Sequence, residues 1–67
     1  MAKLKKEDLA DLIEKANQQK NSIREGLDIF VSYIKEAEDS LLELVDGEEL
    51  SPSQRELYNK LEVATFP

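Results

Sequence analysis

The sequence predicts an all-α chain: one long amphipathic, heptad-patterned helix, then a turn and a short return helix, assembled as a helical bundle or coiled-coil oligomer. Three observations carry this reading. Eleven positions follow an unbroken 4-3-4-3 spacing, namely Leu9, Ile13, Ala16, Lys20, Ile23, Leu27, Phe30, Ile34, Ala37, Leu41 and Leu44, and all but Lys20 are apolar. A period averaging 3.5 residues places them on one helical stripe, which leaves water only when another helix covers it. Secondly, Gly47 and then Ser51-Pro52 punctuate the chain where that stripe ends. Thirdly, 67 residues with no Cys and no His lack disulfides and the usual zinc ligands, so a small core must be completed by self-association or by a partner.

The long helix is expected over about residues 6–46. Gly47 closes it, because glycine enters the left-handed conformation that ends helices. One segment leaves an alternative open. The run Asn17-Gln18-Gln19-Lys20-Asn21-Ser22 is polar throughout, and Ser22 with Glu25 matches the S-x-x-E box that starts helices. A break near residues 17–22 would result. Against it stands the 4-3 phase, which is the same on both sides of the run, and the continuous helix is therefore preferred. The C-terminal half of the stripe is flanked by Val31, Tyr33 and Val45 and should form the centre of the bundle. Lys20 either selects register within the seam or snorkels into water where the helix frays.

The second helix is expected over about residues 52–62, with Ser51 as N-cap, Pro52 at the first helical position and Gln54 completing a capping box. Leu50, Leu57, Tyr58 and Leu61 form its apolar side, facing back onto the long helix. Phe66 is expected to dock, since exposing its ring forfeits the gain from burial.

The formal charge of −6 is concentrated in one stretch. Residues 36–49 hold Glu36, Glu38, Asp39, Glu43, Asp46, Glu48 and Glu49 with no cation, whereas residues 1–35 sum to +1 and residues 50–67 to zero. Direct binding of nucleic acid is disfavoured, because that affinity rests on cations that neutralise phosphates. A protein with a basic surface is the expected partner, and Glu36, Asp39, Glu43, Asp46, Glu48 and Glu49 form the candidate binding face. The plain alternative is that these carboxylates only keep the chain soluble.

Little in the sequence points to catalysis. Without His or Cys, acid-base chemistry would fall to carboxylates, Tyr or Lys. Asp39, Glu43 and Asp46 share a helix face and could contribute to a Mg²⁺ or Ca²⁺ site only with ligands from elsewhere. Asp46-Gly47-Glu48 lacks the Asp/Asn positions of a calcium loop, and no phosphate-binding or nucleophile motif is present. The stretch Leu41 to Pro52 is similar to the inter-helix region of the small aspartyl-phosphate phosphatases of sporulating bacteria. Their Ser-x-x-x-Asp motif is missing, because Ser53 is followed four residues later by Leu57. That departure removes the catalytic reason for the assignment, so no family is claimed and no enzyme or cofactor is expected.

The basic N-terminus is followed by no apolar run of signal-peptide or membrane-spanning length, so a cytoplasmic address without membrane attachment is expected. The functional expectation is a small acidic interaction factor, regulatory, inhibitory or assembling, that self-associates through the seam Leu9, Ile13, Ala16, Ile23, Leu27, Phe30, Ile34, Ala37, Leu41 and Leu44. Two alternatives stand beside it. One is a nucleic-acid-mimicking inhibitor of the kind mobile elements encode, and the other is a structural subunit of a larger assembly.

Overall fold

No apolar side chain lies between Ala16 and Ile23, so nothing holds a helix against a core across that interval. The chain turns there. In the computed structural model, which describes residues 3–66, α1 spans Lys6–Lys20, α2 spans Leu27–Leu42 and α3 spans Pro52–Thr65, and each helix packs against both others. The expected single helix over residues 6–46 is thus corrected to two. A straight helix of that length would reach about 60 Å, whereas the longest dimension of the molecule is 34 Å.

Local chemistry explains the break. At the end of α1 the Ser22 amide donates to the Gln19 carbonyl at 2.9 Å, and Ile23 then packs against the core. The Ser22–Glu25 box starts nothing. Instead Gly26, at φ +72°, reverses the chain, and its carbonyl accepts from the Phe30 amide at 3.0 Å in the first turn of α2. Only glycine takes that backbone angle without steric cost. The phase argument for continuity fails for a simple reason. Lys20 and Leu27 are seven residues apart, one full heptad, so two helices that each turn a stripe toward a common core show an uninterrupted pattern.

The stripe is consequently covered within one chain rather than between chains. Leu9, Ile13, Ala16, Phe30, Ile34, Ala37 and Leu44 are buried, joined by Leu12, Leu50 and Leu61. Ile23 and Leu41 pack partly buried against them, while Leu27 stays 36% exposed in the first turn of α2. The seam positions expected to pack between long helices of different chains form the core of a three-helix bundle within this chain.

α2 stops at Leu42, not at Asp46: the Glu43 and Leu44 amides donate to the Ser40 and Leu41 carbonyls three residues back, tightening the last turn, and Leu44 is buried just beyond it. The segment 43–51 then crosses to α3 over the start of α1. The Lys6 amide donates to the Glu48 carbonyl and the Leu50 amide to the Leu4 carbonyl, both at 2.9 Å, forming a single antiparallel bridge between Lys5 and Glu49. Gly47, at φ +81°, sits in this crossing rather than at a helix end, and its amide donates to Glu7 Oε1 at 2.9 Å.

At the start of α3, Ser51 Oγ accepts from the Gln54 amide at 3.3 Å and Gln54 Oε1 accepts from the Ser51 amide at 2.8 Å, with Pro52 at the first helical position. Leu50 and Leu61 are buried and Leu57 and Tyr58 lie against the core. The helix runs past Glu62 to Thr65, whose buried hydroxyl donates to the Leu61 carbonyl at 2.7 Å. Phe66 does not dock as expected. It is 51% exposed, with the Lys15 ammonium 5.8 Å from its ring centroid.

Candidate functional site

The acidic stretch is divided by the end of α2. Glu36, Asp39 and Glu43 lie on one side of that helix, at 3- and 4-residue steps, and face the start of α3 across an open groove of about 480 Å³. Ser40, Ser51, Ser53, Gln54, Glu56, Leu57 and Lys60 complete its lining. Four carboxylates therefore converge on this groove with one lysine. Among the described residues, none of the four has a cation within ion-pair distance.

The other half of the stretch is occupied by local work. Asp46 Oδ1 lies 3.1 Å from Lys6 Nζ, and Glu49 Oε1 lies 3.6 Å from Lys3 Nζ. Glu48 Oε1 accepts from the Val45 amide at 2.9 Å, which satisfies a donor just beyond the helix. Asp46, Glu48 and Glu49 thus belong to the crossing of residues 43–51 over the basic N-terminal segment. They do not continue the face formed by Glu36, Asp39 and Glu43.

Toward the start of α2 two further concavities adjoin the acidic groove along the α2/α3 seam and share lining residues in turn. Lys60 lines both the acidic part and an apolar part, where it is joined by Tyr33, Asn59, Val63 and Ala64. Tyr33 and Ala64 in turn border a hollow with Ile23, Ile29 and Phe30. Ile29 is 61% and Val63 68% exposed, so the apolar end is open to solvent. Of the flanking residues expected to widen the bundle core, Tyr33 borders this groove and Val31 is half-buried, while Val45 is exposed in the crossing segment.

A metal centre does not fit this arrangement. Among the described residues no group of three carboxylates comes together closely enough to hold a cation, and Asp46, in line with Asp39 and Glu43 by spacing, has left the helix. A second acidic concavity lies between α1 and α3, lined by Asp8, Asp11, Leu12, Lys15, Tyr58, Glu62 and Phe66. Burial, and after it the charges of Glu62, Asp8 and Asp11, push the Tyr58 hydroxyl above its ordinary pKa. This cleft is smaller, about 210 Å³, and carries its own cation, Lys15, over Phe66.

The chain matches no family model, no curated protein and no solved structure. Among the described residues no helix is long and apolar enough to cross a membrane. Functional argument therefore rests on the groove. Glu56, Lys60, Ile29 and Val63 belong to it and were not singled out from the sequence. A signal for them exists, since Ser53, Glu56, Lys60 and Val63 follow a 3-4-3 spacing on α3 outside the buried row of Leu57 and Leu61.

Proposed function

We propose that this protein is a small protein-binding factor whose α2/α3 groove receives a basic segment of another protein. One observation carries the reading: Glu36, Asp39 and Glu43 of α2 and Glu56 of α3 line one concavity with only Lys60 to offset them. Carboxylates held by the fold without local partners attract cationic side chains at long range and fix their register at short range. A concave acidic surface supports reception of Lys and Arg side chains better than imitation of a convex phosphate backbone. Self-association through the heptad stripe has lost its physical reason, because that stripe forms the core of the single chain.

The test is titration of isotopically labelled protein with an oligolysine peptide at low ionic strength, followed by amide chemical shifts. Shifts should concentrate at residues 36–43 and 53–60 and should largely vanish in the variant combining Glu36→Gln, Asp39→Asn, Glu43→Gln and Glu56→Gln. Binding by the wild type should weaken steeply with salt. Shifts of equal size around Glu14, which is exposed on α1 outside the groove, or an unchanged affinity in the four-site variant, would reduce these carboxylates to a solubilising role.

A further inference from the structure

We infer that the occupant of the groove is an amphipathic helix of a partner protein, apolar toward one end and cationic toward the other, laid lengthwise between α2 and α3. Its cationic end rests on the reading just given; its helical form and apolar end rest on separate observations.

The groove is bordered by two helical rows. On α2 these are Ile29, Tyr33, Glu36, Ser40 and Glu43, at 4-3-4-3 steps, and on α3 they are Ser53, Glu56, Lys60 and Val63, at 3-4-3 steps. Each row is the outward counterpart of a buried stripe on the same helix. Two parallel ridges at this spacing present the furrow into which a further helix packs in a four-helix arrangement. Ile29 and Glu43, the residue that caps α2, are fourteen positions apart, about 21 Å of helix axis, which matches a partner helix of about four turns. Ser40 and Ser53 are small, so the two ridges are low at those positions and leave room for incoming side chains.

The distribution of chemistry along the furrow sets the occupant's polarity. At one end Ile29, Tyr33, Val63 and Ala64 offer apolar surface; at the other stand Glu36, Asp39, Glu43 and Glu56. An extended basic peptide would leave the apolar end uncovered, and no described sheet edge is present for strand addition. A second copy of this chain is a poor occupant. Two copies related by a twofold axis share one patch. An axis at the acidic end sets carboxylates against carboxylates, and one at the centre sets carboxylates against Ile29 and Val63. One at the apolar end pairs Ile29 and Val63 with their own copies but leaves the four carboxylates uncovered. No such pairing is complementary along the whole furrow, whereas a helix with apolar and cationic halves satisfies both ends.

The experiment uses a designed peptide of about 15 residues, the length that spans the furrow as a helix. One half carries Leu and Ile at 4-3 steps, and the other carries Lys and Arg continuing those steps. Two comparison peptides are oligolysine and the same design with a central proline. Calorimetry should give binding of the design and at least about tenfold weaker binding of the proline peptide, and circular dichroism should show a gain in far-ultraviolet helical signal when the design binds. Ile29→Gln and Val63→Gln, both at exposed positions and adding no charge, should weaken the design about tenfold or more and oligolysine far less. Neutralising the four carboxylates should weaken both ligands.

Equal binding of the proline peptide, or binding without gained helicity, would overturn the helical occupant and leave the basic-segment reading standing. Indifference of the design to Ile29→Gln and Val63→Gln would overturn the apolar end alike. A failure of oligolysine to bind while the design binds would instead strike the earlier reading. Finally, equilibrium sedimentation that finds a dimer dissociated by Val63→Lys would make a second copy the occupant and end the proposal.

Discussion

Residues 36–43 and residues 46–49 are both acidic and lie close together in the sequence, yet the fold puts them to different uses. The first group lines a groove in which no described cation pairs with it; the second is tied to Lys3, Lys6 and a backbone amide. The division falls where α2 ends and the chain turns into the crossing segment. A run of like charges is therefore no unit of function. What matters is which carboxylates the backbone leaves free, and here the turn between the two groups makes that choice.

Both groups depend on the same bundle, so the largest effect comes from breaking it. Ile34 is 3% exposed beneath the α2 end of the groove, and Ile34→Asp would bury a carboxylate without a partner. The cost of about 4 kcal/mol or more is comparable with the whole stability of a chain this small. Helical circular dichroism should be largely lost at every protein concentration. Leu27→Asp, at an equivalent position of the heptad pattern but 36% exposed at the helix N-terminus, should cost less than about 1 kcal/mol. Equal damage from the two substitutions, relieved by raising protein concentration, would restore an intermolecular seam.

An intermediate effect separates the groups. Gly47 holds the crossing segment at φ +81° with open space around its Cα, so Gly47→Ala meets no clash but costs about 1 kcal/mol for the left-handed backbone. A fall in Tm of roughly 4–8 °C is expected for a chain of this size. The groove should be untouched, and oligolysine titration of Gly47→Ala should match the wild type at temperatures where both are folded. A matching loss of peptide affinity would show that the crossing and the groove are one site.

The helical class and the apolar positions were legible in the sequence because burial follows a period that any helix must obey. The Ser51-Pro52-Gln54 start of α3 was legible too, since its hydrogen bonds run between residues three apart. Connectivity was not. A loop bounded by Lys20 and Leu27 keeps the heptad phase, and the decisive residue, Gly26, lies beyond the polar run of residues 17–22 that carried the alternative of a break. The candidate face was half legible. Glu36, Asp39 and Glu43 could be grouped from helical spacing alone, but Glu56, Lys60 and Val63 join them only through the packing of α3 on α2. Likewise, the pairings of Lys3 with Glu49 and of Lys6 with Asp46 reach from one end of the sequence to its second half, and no local pattern announces them.

The smallest expected effect sharpens the comparison most, because it removes the same charge from each group. One triple variant carries Glu36→Gln, Asp39→Asn and Glu43→Gln; the other carries Asp46→Asn, Glu48→Gln and Glu49→Gln. Each loses three negative charges, so relief of overall repulsion is alike in both, and any difference is local. In the groove variant, Asp39 and Glu43 no longer oppose the α2 dipole near its C-terminus, an unfavourable contact of roughly 0.3–1 kcal/mol per charge. Stability should hold or rise. In the crossing variant the ion pairs of Lys6 and Lys3 are lost, while the side-chain amide introduced by Glu48→Gln would still accept from the Val45 amide through its carbonyl oxygen. Exposed pairs of this kind contribute up to about 1 kcal/mol each, so stability should fall slightly relative to the groove variant. Urea midpoints measured at low ionic strength should therefore rank the groove variant above the crossing variant. The gap should narrow at about 1 M salt, where the screening length is about 3 Å. Identical midpoints at low salt would mean that the Lys3 and Lys6 contacts contribute nothing, and the two acidic groups would then differ only in the surface they line.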